Sequence, residues 1–85
     1  MNYITLTNDD HRTIANLLII NDKRTITAVS YETEIARCNV NEKRLDICGY
    51  HSPTSTKHLN AFLKYLGIEH KLIKQDLLTT YTIQL

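Results

Sequence analysis

The sequence contains few of the residues that break secondary structure or build cross-linked scaffolds. Its 85 residues include two glycines, one proline, two cysteines and no tryptophan. So little glycine and proline leaves no room for long flexible linkers, and two cysteines are too few for a disulfide framework. We therefore expect a single small domain over residues 1–85, in which helices and strands are joined by short turns.

The two cysteines are Cys38 and Cys48. In a reducing compartment we expect both to stay free and to behave as small buried apolar residues. A disulfide between them is the alternative.

The chain also lacks a strong charge of either sign and a long apolar run. Ten basic residues against nine acidic ones give a formal net charge of +1, which provides no electrostatic argument for nucleic acid or membrane binding. No run approaches the roughly 18 apolar residues of a transmembrane helix. The start, MNYITLTNDDHRT, lacks the basic region and apolar core of a signal peptide. We therefore expect a cytoplasmic protein.

Familiar metal and catalytic motifs are missing as well. There is no C-x-x-C or H-x-x-x-H pair, no glycine-rich phosphate loop, no G-x-S-x-G elbow and no H-E-x-x-H. A zinc ion held by His51, His58 and a cysteine is an alternative that would depend on tertiary structure. The sequence predicts no cofactor, no metal and no enzymatic activity.

The first half of the chain is rich in β-branched residues. Residues 2–7 alternate apolar and polar side chains, which predicts a strand. TNDD followed by apolar residues at helical spacing predicts a helix at 8–20, although TIANLLII is also compatible with a buried strand. Residues 25–40 favour strand, and a slip of phase near SYETE indicates a bulge or, alternatively, a tight hairpin.

The second half begins with a strand at 45–50 and continues with a helix. Apolar residues at 59, 62, 63 and 66 occupy one helical face. Pro53 lies just before this helix, and one of Thr54, Ser55 and Thr56 is expected to supply the cap hydroxyl. Gly67, in a left-handed backbone conformation, is expected to end the helix as a left-handed stop. IEHKLIKQDLL is compatible with either a short helix or a strand, and TTYTIQL predicts a closing strand.

The predicted fold follows from this order of elements. It is an α+β domain with an antiparallel sheet of about four strands and two helices packed on one face, in the order βαββαβ.

Polar side chains are expected to converge where the strand at 45–50 ends and the helix begins. The candidate binding residues there are Tyr50, Ser52, Thr56, Lys57, His58 and Asn60. Free backbone amides and the positive end of the helix dipole suit an anion or a phosphate, whereas the simpler interpretation is an ordinary hydroxyl cap. Tyr31 and Thr33 are added as contact residues, because tyrosine is a frequent anchor in protein interfaces.

Basic residues occur in scattered pairs. A modest basic patch would form from Lys23, Arg24, Lys43, Arg44 and Lys64 if the turns that carry the first two pairs lie at one end of the sheet. Tyr31 or Tyr50 could then stack on bases. The alternative is that these residues only solvate the turns.

Two segments resemble a pattern found in small uncharacterised proteins of phages and other mobile elements: S-Y-x-T-x-[VI]-A, then Y-S-x-T-T-x-[KR]-H-x-N-x-[FL]-L. The matching residues, all within 30–67, are Ser30, Tyr31, Thr33, Ile35, Ala36, Tyr50, Ser52, Thr56, Lys57, His58, Asn60, Phe62 and Leu63. Pro53 and Ser55 depart from the pattern.

The resemblance implies a genomic setting more than a chemistry. Small phage proteins that are not structural often act by binding a host enzyme, a defence nuclease or nucleic acid. We therefore expect a non-enzymatic binding protein that modulates a host protein, with anti-CRISPR-like counter-defence as the most concrete form. A small nucleic-acid-binding module is the alternative. The oligomeric state is left open, a homodimer included.

Overall fold

The computed structural model describes residues 2–8, 10–69, 71–79 and 82–85. Within these residues the chain forms an antiparallel sheet of six strands in which every strand neighbours the next one along the chain. The strands are β1 (Asn2–Ile4), β2 (Leu17–Asp22), β3 (Thr25–Ser30), β4 (Thr33–Asn39), β5 (Arg44–Ile47) and β6 (Thr82–Gln84). Helices α1 (Pro53–Tyr65) and α2 (Lys74–Thr79) lie between β5 and β6 in the sequence.

The predicted order βαββαβ with about four strands is therefore wrong. No helix spans 8–20; the chain forms a loop closed by a bridge between Thr7 and Thr13, and β2 then begins at Leu17. The Asn8 side chain accepts hydrogen bonds from the amides of Asp10 and Arg12 at 2.9 and 3.1 Å, so it caps a turn and not a helix. Asp9, part of the predicted cap, lies outside the described residues.

The apolar run after this loop is a strand because its period is two. Leu17 and Ile19 are buried, while Leu18 and Ile20 lie on the other face of the sheet and are half-buried. The helical spacing read from the sequence came from combining these residues with Ile14, which belongs to the loop. The alternative interpretation of this segment as a strand is confirmed from Leu17 onward.

The segment 25–40 is a hairpin with a bulge in its second strand. A two-residue turn at 31–32 joins β3 to β4, so the hairpin alternative is confirmed. Ala28 pairs with Ala36 whereas Val29 pairs with Glu34, which leaves Ile35 as the extra residue of the bulge. Both Ile35 and Ala36 are buried, because the bulge turns two successive side chains toward the core.

The core lies between one face of the sheet and α1. The buried apolar residues are Leu17, Ile19, Ala28, Ile35, Ala36, Cys38, Leu45, Ile47, Leu59, Phe62, Leu63, Leu72 and Leu77. Three of them, Leu59, Phe62 and Leu63, come from the predicted apolar face of α1, and that prediction is confirmed.

Both ends of α1 have well-defined caps. Ser52 is the N-cap and accepts the Ser55 amide hydrogen at 3.0 Å, so Pro53 is the first helical residue and the predicted cap at Thr54, Ser55 or Thr56 is wrong. At the other end Gly67 has φ +79°. Its amide donates to Lys64 O at 3.0 Å and that of Ile68 to Leu63 O at 2.9 Å, which confirms the left-handed stop.

The C-terminal segment covers the free edge of β5. The ambiguous stretch after Gly67 contains α2, and the closing strand is β6, paired with β5 through Leu45 and Ile83. His70, Thr80 and Tyr81, which fall in these two predicted segments, lie outside the described residues. None of the helices in the described part of the chain is long and apolar enough to cross a bilayer.

Candidate functional site

Four polar side chains form a hydrogen-bonded chain between β3 and the start of α1. The Ser30 hydroxyl lies 2.7 Å from His58 Nδ1 and 3.0 Å from Ser55 Oγ, and Ser52 Oγ donates to Ser55 Oγ at 3.2 Å. Ser30, Ser55 and His58 are all buried. We call these four residues the serine–histidine network.

The network has a preferred direction of donation. Since Ser52 Oγ donates to Ser55, every hydroxyl proton finds an acceptor when Ser55 donates to Ser30 and Ser30 donates to His58 Nδ1. This direction requires a neutral imidazole that carries its proton on Nε2. Burial lowers the pKa of His58, which favours the same neutral form.

A serine beside a histidine is also the start of a nucleophilic site. Here Ser30 is only 1% exposed, at the end of β3 and beneath α1. A substrate cannot reach its oxygen unless α1 moves. The network therefore joins the helix to the sheet, and its Ser30–Ser55 and Ser30–His58 bonds replace the water that these groups lose on burial.

The buried His58 predicts a pH-dependent stability. Because its pKa is lowered in the folded protein, the unfolded chain binds more protons around and below the ordinary value of 6.5. The stabilisation is therefore fully present above that value and is lost as the pH falls toward the folded-state pKa. Urea unfolding followed from about pH 8 to about pH 5 should show the free energy of unfolding decrease across this range.

The matched variants for this prediction are His58→Gln and His51→Gln, because His51 is exposed. We expect His58→Gln to flatten the pH dependence and His51→Gln to keep it. An unchanged slope in His58→Gln would place the titration elsewhere.

Beside the network lies an open groove of about 690 Å³. Its described lining residues are Thr7, Asn8, Thr13, Ile14 and Ala15 of the loop, Thr54, Lys57, His58, Asn60, Ala61 and Lys64 of α1, and Ile68 and Lys71. We call it the lysine groove, because Lys57, Lys64 and Lys71 all line it. Among the described residues none of the lining side chains is acidic. His58 is also part of the lining, so the serine–histidine network and the groove meet at this ring.

The lysines of the groove follow the geometry of the helix. Lys57 and Lys64 are seven residues apart on α1, hence two turns or roughly 10 Å along its axis. Apolar side chains, Ile14, Ala61 and Ile68, lie among them in the lining. The groove thus combines positive charge with apolar surface.

Of the predicted corner residues, Lys57 and His58 line the groove, and so does Asn60. Asn60 also holds the backbone of Leu72, because its Nδ2 donates to Leu72 O and its Oδ1 accepts from Leu72 N, both at 2.8 Å. Ser52 is the N-cap of α1, and Thr56 lies in its first turn, where Thr56 Oγ1 donates to Ser52 O at 3.0 Å. The start of the helix therefore accounts for the positions of Ser52 and Thr56.

The predicted tyrosines and Thr33 lie near the same end of the sheet. Tyr31 is in the β3–β4 turn with its ring centroid 6.0 Å from that of His58, and Thr33 is exposed at the start of β4. Tyr50 packs against the core, and Lys74 Nζ lies 5.0 Å from its ring centroid. Tyr50 and Thr33 are not among the residues that line the groove.

The basic pairs lie at the opposite end of the sheet. The β2–β3 turn carries Lys23 and Arg24, the β4–β5 turn carries Lys43, and the two turns meet where Val40 N donates to Arg24 O at 2.9 Å. Arg44 is held by Glu42 at 2.6 Å and Asp46 at 3.1 Å.

The proposed combination of this patch with tyrosine stacking does not match the fold. Tyr31 lies in the turn at the other end of β3, and Tyr50 follows the far end of β5. Lys64 is likewise separate from the patch, because it lines the groove. Lys23, Arg24 and Lys43 are therefore brought together, whereas the tyrosines and Lys64 are not part of their surface.

Sequence reasoning missed Ser30 and Ser55 as network members, and Lys71 and the loop residues as groove lining. The spacing of seven that relates Lys57, Lys64 and Lys71 was visible in the sequence. Nothing local indicated the contact between Ser30 and His58, which lie 28 residues apart.

The cysteines and histidines do not assemble a metal site among the described residues, where no group of three or more potential ligands is found. Both cysteines are free, so the disulfide alternative is wrong. Cys38 is buried as predicted, but Cys48 is exposed, and its thiol lies 3.8 Å from Glu34 Oε2. Partial shielding of the sulfur and the Glu34 carboxylate raise the pKa of Cys48 and keep it protonated.

Comparison with known proteins places the chain in one family. A search of curated proteins gave no match, and a search of solved structures gave none either. The model of a family of unknown function, DUF8033, matches residues 1–78. This match includes the loop, the sheet from β1 to β5 and α1, and hence both the network and the groove. The chain therefore belongs to the DUF8033 family.

Proposed function

We propose that this chain is a non-enzymatic binding protein of phage or mobile-element origin that modulates a host protein. It does so by holding an acidic segment of that protein in the lysine groove. The observation that carries the proposal is the convergence of Lys57 and Lys71 on one groove whose described lining contains no acidic side chain. Carboxylates placed there would gain charge-assisted hydrogen bonds from the lysine ammonium groups.

The apolar part of the lining supports a protein segment over nucleic acid. Ile14, Ala61 and Ile68 offer surface to apolar side chains, and partial burial there adds to the charge attraction. The aromatic ring among the described lining residues is that of His58, which is buried and so offers no open face on which a base could stack. The formal net charge of +1 adds no general attraction for a phosphate backbone.

The genomic setting rests on the sequence resemblance described above. Its residues include Lys57, which lines the groove, and His58 and Asn60, which hold the structure around it. Proteins of that setting that bind a host enzyme or a defence nuclease act by occupancy, for which a groove that only binds is sufficient. Anti-CRISPR-like counter-defence is the most concrete form of this function.

Reversing the charge of the groove should remove binding. In the Lys57→Glu/Lys71→Glu variant, attraction for a carboxylate becomes repulsion, and we expect affinity for a short fluorescein-labelled peptide rich in glutamate and leucine to fall by at least about tenfold. Fluorescence anisotropy at two salt concentrations measures this. The salt dependence should be modest compared with that of a protein that contacts several phosphates.

The matched control is Lys23→Glu/Arg24→Glu, which makes the same change in net charge at the exposed turn on the opposite end of the sheet. We expect it to bind like the wild type. An equal loss of affinity in both variants would show a general charge effect and would contradict binding in the lysine groove. A tagged pull-down from host lysate with and without nuclease extends the test, since material lost on nuclease treatment would favour the nucleic-acid alternative.

A further inference from the structure

Tyr31 has a backbone conformation that a bulky residue rarely adopts. It is the first residue of the two-residue turn between β3 and β4 and has φ +58°. Glycine is the usual residue at such a position, because a Cβ crowds the backbone there. A tyrosine in this turn therefore costs the folded protein stability.

Little in the fold compensates for this cost. The Tyr31 side chain is 58% exposed, and its described ring contact is a tilted one with His58 at 6.0 Å between centroids. The hydrogen bond that fixes the turn, from Tyr31 N to Asn16 O at 2.7 Å, uses only backbone atoms. Glycine could make the same bond.

The position of the ring relates it to the lysine groove. Asn16, to which the Tyr31 amide is bonded, directly follows Ala15 of the groove lining, and His58 lines the groove itself. Tyr31 does not itself line the groove, but its exposed phenol ring lies beside the ring of one lining residue, His58, with 6.0 Å between the two centroids.

From this geometry we infer that Tyr31 is an apolar anchor of the same binding surface. It contacts an aromatic or large aliphatic side chain of the acidic segment seated in the groove. This inference rests on the proposed function and adds the composition of the partner: carboxylates opposite Lys57 and Lys71, followed by an apolar residue opposite Tyr31. An exposed tyrosine of this kind contributes much contact area and loses few rotamers on binding.

The test compares stability and affinity in the same variants. Tyr31→Gly removes both the strain and the ring, and Tyr31→Asn removes the ring but tolerates the left-handed backbone. Two peptides are used, the glutamate- and leucine-rich probe with a terminal phenylalanine and the same probe with serine in its place. We expect Tyr31→Gly to raise Tm by about 4 °C and both variants to lose about fivefold or more in affinity for the phenylalanine probe only.

Each result decides one point. A lower Tm in Tyr31→Gly would show that the ring stabilises the fold by covering His58, and unchanged affinity in both variants would show that it does not contact the probe; either overturns the inference. If Lys57→Glu/Lys71→Glu loses binding while the Tyr31 variants do not, the proposed function stands and the inference that Tyr31 contacts the bound segment is wrong. If the wild type binds neither probe, both fail together.

Discussion

A Ser30→Ala chain is expected to be less stable than the wild type by about 2–3 kcal/mol, a large fraction of the stability of a domain this small. The substitution removes one hydroxyl group and leaves two side chains without their hydrogen bond to it. His58 Nδ1 loses its hydrogen bond of 2.7 Å, and Ser55 Oγ loses its contact of 3.0 Å. Because both partner residues are buried, water cannot replace these bonds without opening the interface between β3 and α1. Chemical denaturation at neutral pH measures the loss.

Two further variants separate hydrogen bonding from simple truncation. Thr33→Ala, an exposed change in the same hairpin, should cost less than about 0.5 kcal/mol. The triple variant Ser30→Ala/Ser55→Ala/His58→Leu removes the three buried members of the network together, so it should cost less than the sum of the three single changes. Additive losses would mean that Ser30, Ser55 and His58 do not act as one network.

Replacing Asn60 with alanine should detach the C-terminal segment from α1, with a loss of about 2–3 kcal/mol. The amide side chain makes two bonds of 2.8 Å to the backbone of Leu72, a residue that is 2% exposed in the core. We expect hydrogen exchange to quicken first in α2 and β6, because their connection to α1 passes through this contact.

Asn60→Asp is the informative companion variant. It keeps an acceptor for the Leu72 amide but places a carboxylate oxygen against the Leu72 carbonyl, so it should be about as damaging as alanine. Asn41→Ala, at an exposed turn, serves as the control with little effect expected. If hydrogen exchange quickened equally in β2 and β3, the effect of the Asn60–Leu72 hydrogen bonds would not be local and the prediction would be wrong.

The contrast between α1 and the segment 8–20 shows which parts of the fold were predictable. In α1 the apolar positions repeat at helical spacing over two turns, and Gly67 ends the pattern, so local information was sufficient. In 8–20 the decisive run of four apolar residues, 17–20, fits a helix or a strand equally well. Pairing with β3 settled the choice, and that pairing depends on the whole sheet.

The candidate site was predictable only in part for a similar reason. Lys57 and His58 were found because they lie on one helix beside a recognisable cap. The other half of the groove comes from Thr7, Asn8, Thr13, Ile14 and Ala15, of which all but Thr7 fall in the helix predicted at 8–20. Likewise, the strain at Tyr31 could not be predicted, because the sequence did not show that this residue has a positive φ. Neither of the two glycines of the chain occupies this turn.

The strand order has a consequence for how quickly the chain folds. From β1 to β5 each strand pairs with its immediate successor, so these pairings close short loops and cost little chain entropy. Domains with mostly local pairings cross their folding barrier faster than sheets that join distant segments. Where the hairpins form first along the chain, docking of α1 is the step that brings His58 to Ser30. The serine–histidine network would then have a low φ-value, so its loss should speed unfolding more than it slows folding.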